Sequence, residues 1–433
     1  MISDTTFSNR YSIVSRIPFY YGWIILAASA LTRFISSPGQ TYLISVFIDP
    51  IISELRWSRT LISSLYTAGS LTAGVAVIFV GRLLDRYGAR FVLLTVGVLF
   101  GFAALWMSAV DNPIKLYIGF AALRTLGQGS LGLITSTLIA LWFVRLRGRA
   151  TAFAAIGGAI GMATFPVMAH ALINNTDWRN AWVVMAFIIW IVMVPIIFLV
   201  HRSPESVGLL PDGKTRKQPN EQTANMDVLM STTREVAFSL SEALRTRTFW
   251  LLLFVSSALP LISTGLSFHQ ISFLTSKGIQ TSVATAVFSI IGPSQLLGTF
   301  TAGFMADRFP NRYLLVIGQV LLGTVMLWTF IITTSWQVFV YGAMLGLSTG
   351  FIMTVSAVIW PNYYGRLHLG SIRGVSVAGT VAFAALGPLP FGLIYDITGD
   401  YSLAIFILLA LPVLCAVAAF LAFPPKKPVL KGA

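Results

Sequence analysis

Two arginines lie inside long apolar stretches of this 433-residue chain: Arg33 near the middle of the first stretch and Arg124 within the fourth. A charged side chain at the centre of a bilayer costs about 2.5–3.5 kcal/mol on insertion scales, so it is by default a candidate functional residue. All fifteen Asp and Glu residues fall in predicted loops or at predicted helix ends. The two arginines therefore predict a half-buried positive centre that would attract a small anion.

Both arginines also have a structural interpretation. Arg33 precedes the sequence Ser36-Ser37-Pro38-Gly39, and its guanidinium could bond to backbone carbonyls that a proline kink frees. Arg124 could serve helix packing. The predicted positive centre also lacks the intramembrane carboxylate that a cation-coupled pump normally uses as its proton relay.

Several uncharged side chains could complete an anion site. Amide and hydroxyl groups donate hydrogen bonds to carboxylates, although each can also be satisfied by contacts between helices. His269 is a second kind of candidate, because imidazole titrates near neutral pH; a neutral, hydrogen-bonded interior histidine is the alternative. The uncharged candidates within apolar stretches are Gln40, Tyr66, Gln270 and Gln295.

The composition places these residues in a membrane. Hydrophobic residues make up 56% of the chain and charged residues 10%, with a mean hydropathy of +0.80, whereas a soluble domain carries about 25% charge. A spanning helix needs about 20 apolar residues. Twelve such runs occur, at 19–46, 60–80, 91–110, 114–141, 150–173, 179–200, 248–276, 281–304, 313–332, 336–362, 371–396 and 401–422. We therefore predict an all-α membrane protein with twelve transmembrane helices.

The net charge of +14 reflects topology. Most Lys and Arg residues fall in the loops of one face, which the positive-inside rule assigns to the cytoplasm. This predicts a multi-pass protein of the inner (plasma) membrane with both termini cytoplasmic, and argues against a nucleic-acid partner. Cys415 is the single cysteine, which excludes an internal disulfide and a cysteine-based zinc site. We expect no cofactor, no metal and no enzymatic activity.

The chain contains two copies of one unit. The charged turn GRLLDRYGARFVL at Gly81–Leu93 returns as GFMADRFPNRYL at Gly303–Leu314, about half a chain later. Two parallel halves of six helices are a transporter architecture. The predicted organisation is two pseudo-symmetric six-helix bundles at 1–200 and 248–433. A cytoplasmic linker at 201–247 joins them and carries an amphipathic helix marked by Val236, Leu240 and Leu244.

Proline and glycine mark expected irregularities. Interrupted helices at corresponding positions of two halves point to a binding site, and we expect them at Pro38 in the first span and Pro260 in the seventh. Gly157, Gly158 and Gly161 form a GxxxG-like face that predicts close helix contact.

The duplicated turn resembles the loop motif of the major facilitator superfamily, and the resemblance covers essentially the whole chain. Arg124, Gly127 and Gly129 are similar to the superfamily's fourth-helix motif. The resemblance implies that the acid of the turn meets the amino end of the eleventh helix in one access state and leaves it in the other. The implied gating residues are Gly81, Asp85, Arg86, Gly88, Arg90, Asp307, Arg308 and Arg373.

Several segments resemble the bacterial monocarboxylate and oxalate/formate group of that superfamily. They are Tyr21-Gly22-Trp23, 54–59 (ELRWSR), Trp142-Phe143, 147–150 (RGRA), 204–213 and 395–401 (YDITGDY). That group usually carries an arginine in the eighth helix, and here the eighth span offers only Ser294, Gln295 and Thr299. The group's substrate chemistry therefore does not transfer as a whole.

These observations predict a secondary transporter, expected to be monomeric, that moves a small organic anion, a monocarboxylate or dicarboxylate. The anion should bind at mid-membrane between the bundles and cross by alternating access, coupled either to protons or to a second anion. Two alternatives stay open. One is an exporter of hydrophobic or amphipathic compounds, which should be insensitive to Arg33; the other is a transport-dead membrane sensor.

Overall fold

The computed structural model describes residues 19–143, 146–201, 203–207, 209–213, 238–306, 308–365 and 369–425. Every regular element in these ranges is a helix. The helices of the first half are α1 Gly22–Ile35, α2 Thr41–Leu55, α3 Arg59–Tyr87, α4 Ala89–Ser108, α5 Pro113–Leu123, α6 Leu131–Trp142, α7 Arg147–Asn175 and α8 Trp178–Leu199. Those that follow are α9 Leu240–Leu244, α10 Arg247–Ser276, α11 Thr281–Ala286, α12 Phe288–Ala306, α13 Asn311–Trp328, α14 Ser335–Tyr364, α15 Leu369–Leu386, α16 Pro388–Thr398 and α17 Ser402–Leu421.

Ten segments of the described chain are long and apolar enough to cross a membrane. The two remaining predicted spans, the first and the fourth, are each built from two helices with an irregular joint. In the first span a 3-10 turn at Ser37–Gly39 joins α1 to α2. In the fourth span a π-helical segment at Arg124–Ser130 joins α5 to α6. These ten segments and the two jointed spans give the twelve-helix architecture that the sequence predicts.

The expected break in the seventh span is wrong. α10 runs without interruption from Arg247 to Ser276 and carries Pro260 inside it, which membrane helices tolerate when neighbouring groups satisfy the freed carbonyl. The eleventh span changes helix at Gly387 instead, where α15 gives way to α16.

Helices extend into the charged turn of the first half. α3 continues to Tyr87, and Gly88 alone separates it from α4. Gly88 has φ 82°, a left-handed backbone conformation that glycine adopts without steric cost. The turn is therefore a single-residue hinge between two helices.

The described chain forms two compact units. The first takes in Met1–Arg56 and Ala68–Lys217, and the second Trp57–Thr67 and Gln218–Ala433, as far as these ranges are described. The start of α3 thus belongs to the second unit. The domain boundaries at 200 and 248 stay predictions.

Small residues hold the helices of each unit close together. In the first unit a Cβ on Gly101 would overlap the Trp190 indole of α8, so α4 and α8 pack closely there. In the second unit a Cβ on Gly298 would overlap the Leu347 carbonyl, which brings α12 against α14. Membrane helices associate through such close approach because lipid gives them no hydrophobic driving force.

Only part of the predicted amphipathic linker helix lies within the described residues. Val236 falls among residues 214–237, outside the described residues. The described part is the five-residue helix α9, which begins with a capping box in which Ser239 and Glu242 satisfy each other's backbone N–H groups. Ala243 of α9 is buried, with Leu240 and Leu244 packed against the same core.

Candidate functional site

The joint in the first span satisfies its own backbone. The Ser36 hydroxyl donates to the Arg33 carbonyl at 2.7 Å, and the Ser37 hydroxyl donates to the Phe34 carbonyl at 2.6 Å. The next carbonyls accept from backbone N–H groups, Ser36 from Gly39 and Ser37 from Gln40. Broken membrane helices need such partners because no water reaches the freed groups.

Arg124 donates to the last residues of the joint. Its Nη1 donates to the Gly39 carbonyl at 3.4 Å and to the Thr41 hydroxyl at 3.2 Å, and the residue is 6% exposed. The two backbones approach closely, since a Cβ on Gly39 would lie 2.8 Å from the Gly127 Cα. Arg124 thus ties the π-helical segment to the joint, and this contact uses part of its hydrogen-bonding capacity.

Arg33 is left out of this network. The residue is half-buried in the last turn of α1, and its Nε is buried with no hydrogen-bond partner in the described part of the chain. The structural alternative for Arg33 required bonds to carbonyls freed at the joint. Those carbonyls accept from Ser36, Ser37, Arg124 and backbone N–H groups, and the buried Arg33 Nε bonds to none of them.

The joint links the Gln40 side chain to the backbone of Arg33. Gln40 is half-buried, and its Nε2 donates to the Ser36 hydroxyl at 3.4 Å, a long hydrogen bond. The same hydroxyl is bonded to the Arg33 carbonyl. The Gln40 side chain and the Arg33 backbone carbonyl therefore share Ser36 as a partner, and Arg124 bonds to Gly39 and Thr41 at the same joint.

His269 lies in the second unit as a fully bonded side chain, 1% exposed. Its Nε2 is 3.0 Å from the Pro388 carbonyl and 3.3 Å from the Ser63 hydroxyl. Its Nδ1 is 3.3 Å from the Tyr401 hydroxyl. A carbonyl only accepts, so the proton belongs on Nε2, and Nδ1 then accepts from Tyr401. The neutral tautomer thus satisfies both ring nitrogens.

Two other predicted site residues also belong to the second unit. Tyr66 is fully buried, with its ring centroid 4.5 Å from that of Phe268. Gln270 is fully buried as well, and neither its amide nitrogen nor its amide oxygen has a partner in the described chain. An unpaired buried amide costs about 1–3 kcal/mol per lost bond, which makes Gln270 a second group that a ligand could satisfy.

Gln295 is placed apart from that cluster. It is half-buried on α12, and its Nε2 lies 3.7 Å from the Met353 sulfur, a weak acceptor. The π-helical segment is a feature that sequence reasoning missed. The hydrogen-bonded arrangement of His269 agrees with one of the two alternatives that the sequence left open.

Arg59 and Asp396 form a polar cluster to which the sequence assigned no role. The Asp396 carboxylate accepts from the backbone nitrogens of Arg59 and Thr60. The Arg59 guanidinium donates to Ser272 at 2.7 Å and lies 4.7 Å from the centre of the Tyr395 ring. Both residues belong to segments quoted for the family resemblance, and that was the signal that could have found them.

The structure describes some of the predicted gating residues fully and others only in part. Arg86, Arg90, Arg308 and Arg373 have exposed side chains. The backbone of Asp85 lies in α3, while its side chain and all of Asp307 are outside the described residues. Gly81 has room for a side chain, since the nearest atom to an added Cβ is 3.7 Å away. Of the two glycines of the turn, only Gly88 is required by backbone geometry.

An ion pair holds the last turn of α2. Arg179 Nη2 is 2.8 Å from a Glu54 carboxylate oxygen, and the Trp178 indole N–H donates to the other oxygen. Hydrogen bonds from Arg179 and Trp178 hold the pKa of Glu54 below its ordinary value. The contact joins the end of α2 to the start of α8.

Comparison with known proteins supplies the family. The chain is 21% identical over 408 residues to monocarboxylate transporter 1 of Mus musculus, covering 88% of this chain and 80% of that protein. It is 23% identical over 323 residues to the agnestins efflux protein AgnL12 of Paecilomyces divaricatus, covering 72% and 68%. A crystal structure of a bacterial homologue of the human lysosomal transporter Spinster, inward-facing and occupied, superposes with a TM-score of 0.72 at 14% identity, over 94% of this chain and 99% of that one.

The sequence profile of the Major Facilitator Superfamily matches residues 23–294 and 274–433. These matches together take in nearly the whole described chain, and the helical architecture agrees with them. The chain is therefore a multi-pass membrane protein that belongs to the Major Facilitator Superfamily of transporters.

Proposed function

We propose that this protein is a secondary transporter for a small organic anion, a monocarboxylate or dicarboxylate, and that Arg33 is the cation that binds it. The single observation that carries the proposal is the buried Nε of Arg33, which has no hydrogen-bond partner in the described part of the chain. A guanidinium presents a planar fork of donors that matches a carboxylate. Half-burial strengthens that attraction relative to bulk water.

The residues around Arg33 give the anion further donors. Gln40 makes one long hydrogen bond, which a carboxylate oxygen could replace. Arg124 keeps the joint in shape through its bonds to Gly39 and Thr41. The mouse relative is named a monocarboxylate transporter, which supports the same substrate class.

Anion exchange is the coupling mode that the geometry favours. A proton relay through His269 would have to break a neutral arrangement in which both ring nitrogens are bonded. Exchange of one anion for another needs no titrating group. The proposed setting is the plasma membrane with both termini in the cytoplasm, in agreement with the distribution of positive charge.

Gating is assigned to the charged turn. By family resemblance, the Asp85 carboxylate stabilises one access state through the positive amino end of the eleventh span, which is a bistable contact. Asp85→Asn should slow transport severely and leave equilibrium substrate binding nearly unchanged. A variant that transports at the normal rate would remove this role.

The deciding experiment is uptake by proteoliposomes that contain the full chain, with a panel of labelled mono- and dicarboxylates, each tested with and without a pH gradient and with unlabelled anion inside. Arg33→Gln should lower kcat/KM by about tenfold or more, since a hydrogen bond to a charged group contributes about 1.5–3 kcal/mol. Arg33→Lys should retain part of the activity, and Lys115→Gln, which removes a charge in the first turn of α5 that pairs with Asp111, should behave as the parent.

The same assay distinguishes anion transport from export of amphipathic compounds. One relative is named an efflux protein, and an exporter of amphipathic compounds would move such compounds equally well with and without Arg33. Undiminished carboxylate uptake by Arg33→Gln would contradict the anion site. Absence of any uptake or exchange by folded protein would favour the sensor alternative.

A further inference from the structure

A pocket of about 480 Å³ lies in the first unit where the start of α4 meets the end of α8. Its lining is apolar and aromatic except for one cation, Arg90. Phe91 and Phe198, which line it, are 55% and 67% exposed, so the pocket opens at the surface of the unit. Leu94 and Val194 continue the apolar wall along the two helices.

A second pocket, of about 420 Å³, lies in the second unit between the start of α13 and the chain that follows α17. Arg312 is its cation, with the guanidinium carbon 4.2 Å from the centre of the Phe423 ring and 4.6 Å from that of Tyr313. Tyr363 closes one side of the pocket. Its hydroxyl bonds to the Ala422 carbonyl.

The arginines of the two pockets occupy equivalent positions in the two repeats. The interval from Arg90 to Arg312 equals the interval from Gly81 to Gly303, which defines the duplicated turn, and each arginine is followed by an aromatic residue. Each pocket joins the third span of its half to the sixth. Because spans alternate in direction, the third begins and the sixth ends at one membrane face, the face that carries the charged turns.

The chemistry of both pockets is that of a phospholipid site. In the first pocket an apolar wall runs along α4 and α8 from Arg90. In the second pocket Arg312 lies at the helix ends beside the aromatic side chains of Phe309, Tyr363 and Phe423. A guanidinium binds phosphate through two parallel hydrogen bonds, and basic pockets between helices at the cytoplasmic side hold anionic head groups. No carboxylate lines either pocket among its described residues.

Asn311 adds a polar contact in the second pocket. It is 5% exposed, it lines the pocket, and its Oδ1 is buried with no hydrogen-bond partner in the described chain. An amide oxygen only accepts. A head group that carries hydroxyl donors beside its phosphate would satisfy Asn311 and Arg312 together, and a glycerol head group has this combination.

We propose that the two repeat-related pockets each bind one anionic phospholipid from the leaflet that faces the charged turns, with its phosphate on Arg90 or Arg312 and an acyl chain along the apolar wall. The second pocket prefers phosphatidylglycerol. These sites are separate from the anion site at Arg33, so lipid binding is measured without transport.

The test is native mass spectrometry of the full chain taken from mixed vesicles of phosphatidylcholine and phosphatidylglycerol. The parent protein should retain two phosphatidylglycerol molecules. Arg90→Gln and Arg312→Gln should each lose one, with affinity at the altered site reduced about tenfold or more, and the double variant should retain none. Arg82→Gln and Arg245→Gln, which remove exposed arginines outside the pockets, should retain both.

Two further arms test the lipid itself. Leu94→Trp fills the first pocket without changing its charge and should also lose one lipid, which keeps the proposal testable if an arginine variant misfolds. Excess inorganic phosphate should not displace the lipids, because it cannot occupy the apolar wall. Retention of both lipids by the double variant, equal retention of phosphatidylcholine, or displacement by phosphate would each overturn the proposal.

Discussion

The Asp396 carboxylate caps the amino end of α3, with its Oδ2 2.7 Å from the backbone nitrogen of Thr60 and its Oδ1 3.3 Å from that of Arg59. The first four N–H groups of a helix have no partner within the helix, and its amino end carries a partial positive charge. A carboxylate from α16 meets both requirements. It fixes the short segment Trp57–Thr67 within the second unit.

Removal of this cap should lower stability. Asp396→Ala leaves two backbone N–H groups of α3 without their acceptor, and loss of a capping side chain typically costs about 0.5–2 kcal/mol. We expect a lower Tm for the purified protein in a thermal-shift measurement. Asp396→Asn, which keeps one acceptor oxygen, should lie between the parent and the alanine variant. Equal Tm values for all three proteins would contradict the capping role.

Gly157 and Gly158 should respond oppositely to the same substitution. A Cβ on Gly157 would overlap the carbonyl oxygen of Ala30, where α7 packs on α1, while a Cβ on Gly158 would meet nothing within 4 Å. Gly157→Ala should destabilise by about 1–3 kcal/mol through overpacking. Gly158→Ala should be neutral or slightly stabilising, because alanine is the better helix former. Thermal unfolding of the two variants in one detergent checks this pair, and equal losses would refute the packing assignment.

His269 should act as a structural residue. Because the neutral ring satisfies the Pro388 carbonyl and the Tyr401 hydroxyl, His269→Gln should lower the Tm and leave the pH profile of uptake unchanged in shape. The measurement is initial uptake rate against pH in proteoliposomes, scaled to folded protein. A profile that becomes flat in the variant would instead identify His269 as the group that carries the coupling proton.

The Glu54–Arg179 contact should make the stability of the folded protein depend on pH. Hydrogen bonds from Arg179 and Trp178 lower the pKa of Glu54 in the folded protein, so its contribution is present above the ordinary carboxyl pKa and is lost as the pH falls through the folded value. The pair is partly exposed, so the effect is at most about 1 kcal/mol. The Tm difference between the parent and Glu54→Gln should shrink between about pH 7 and about pH 4. A constant difference would show that the charge of Glu54 is irrelevant.

The sequence by itself determined the membrane setting and the repeat. The apolar runs reveal the membrane setting because a helix that spans a bilayer must be apolar along its length. The spacing of Gly81 and Gly303 reveals the repeat. The sequence also predicted the break at Pro38, since proline removes a backbone donor. Arg33 stood out because an intramembrane cation is costly wherever its neighbours lie.

Only the tertiary structure decided which polar groups are already satisfied. Arg33 and Arg124 look alike in sequence, yet the hydroxyls of Ser36 and Ser37 and the guanidinium of Arg124 take the carbonyls of the joint and leave Arg33 open. Pro260 carries the same local signal as Pro38, and its helix stays continuous. Hydrogen-bond partners come from segments distant in the chain, as Asp396 does for Thr60, and no local pattern encodes such a partner.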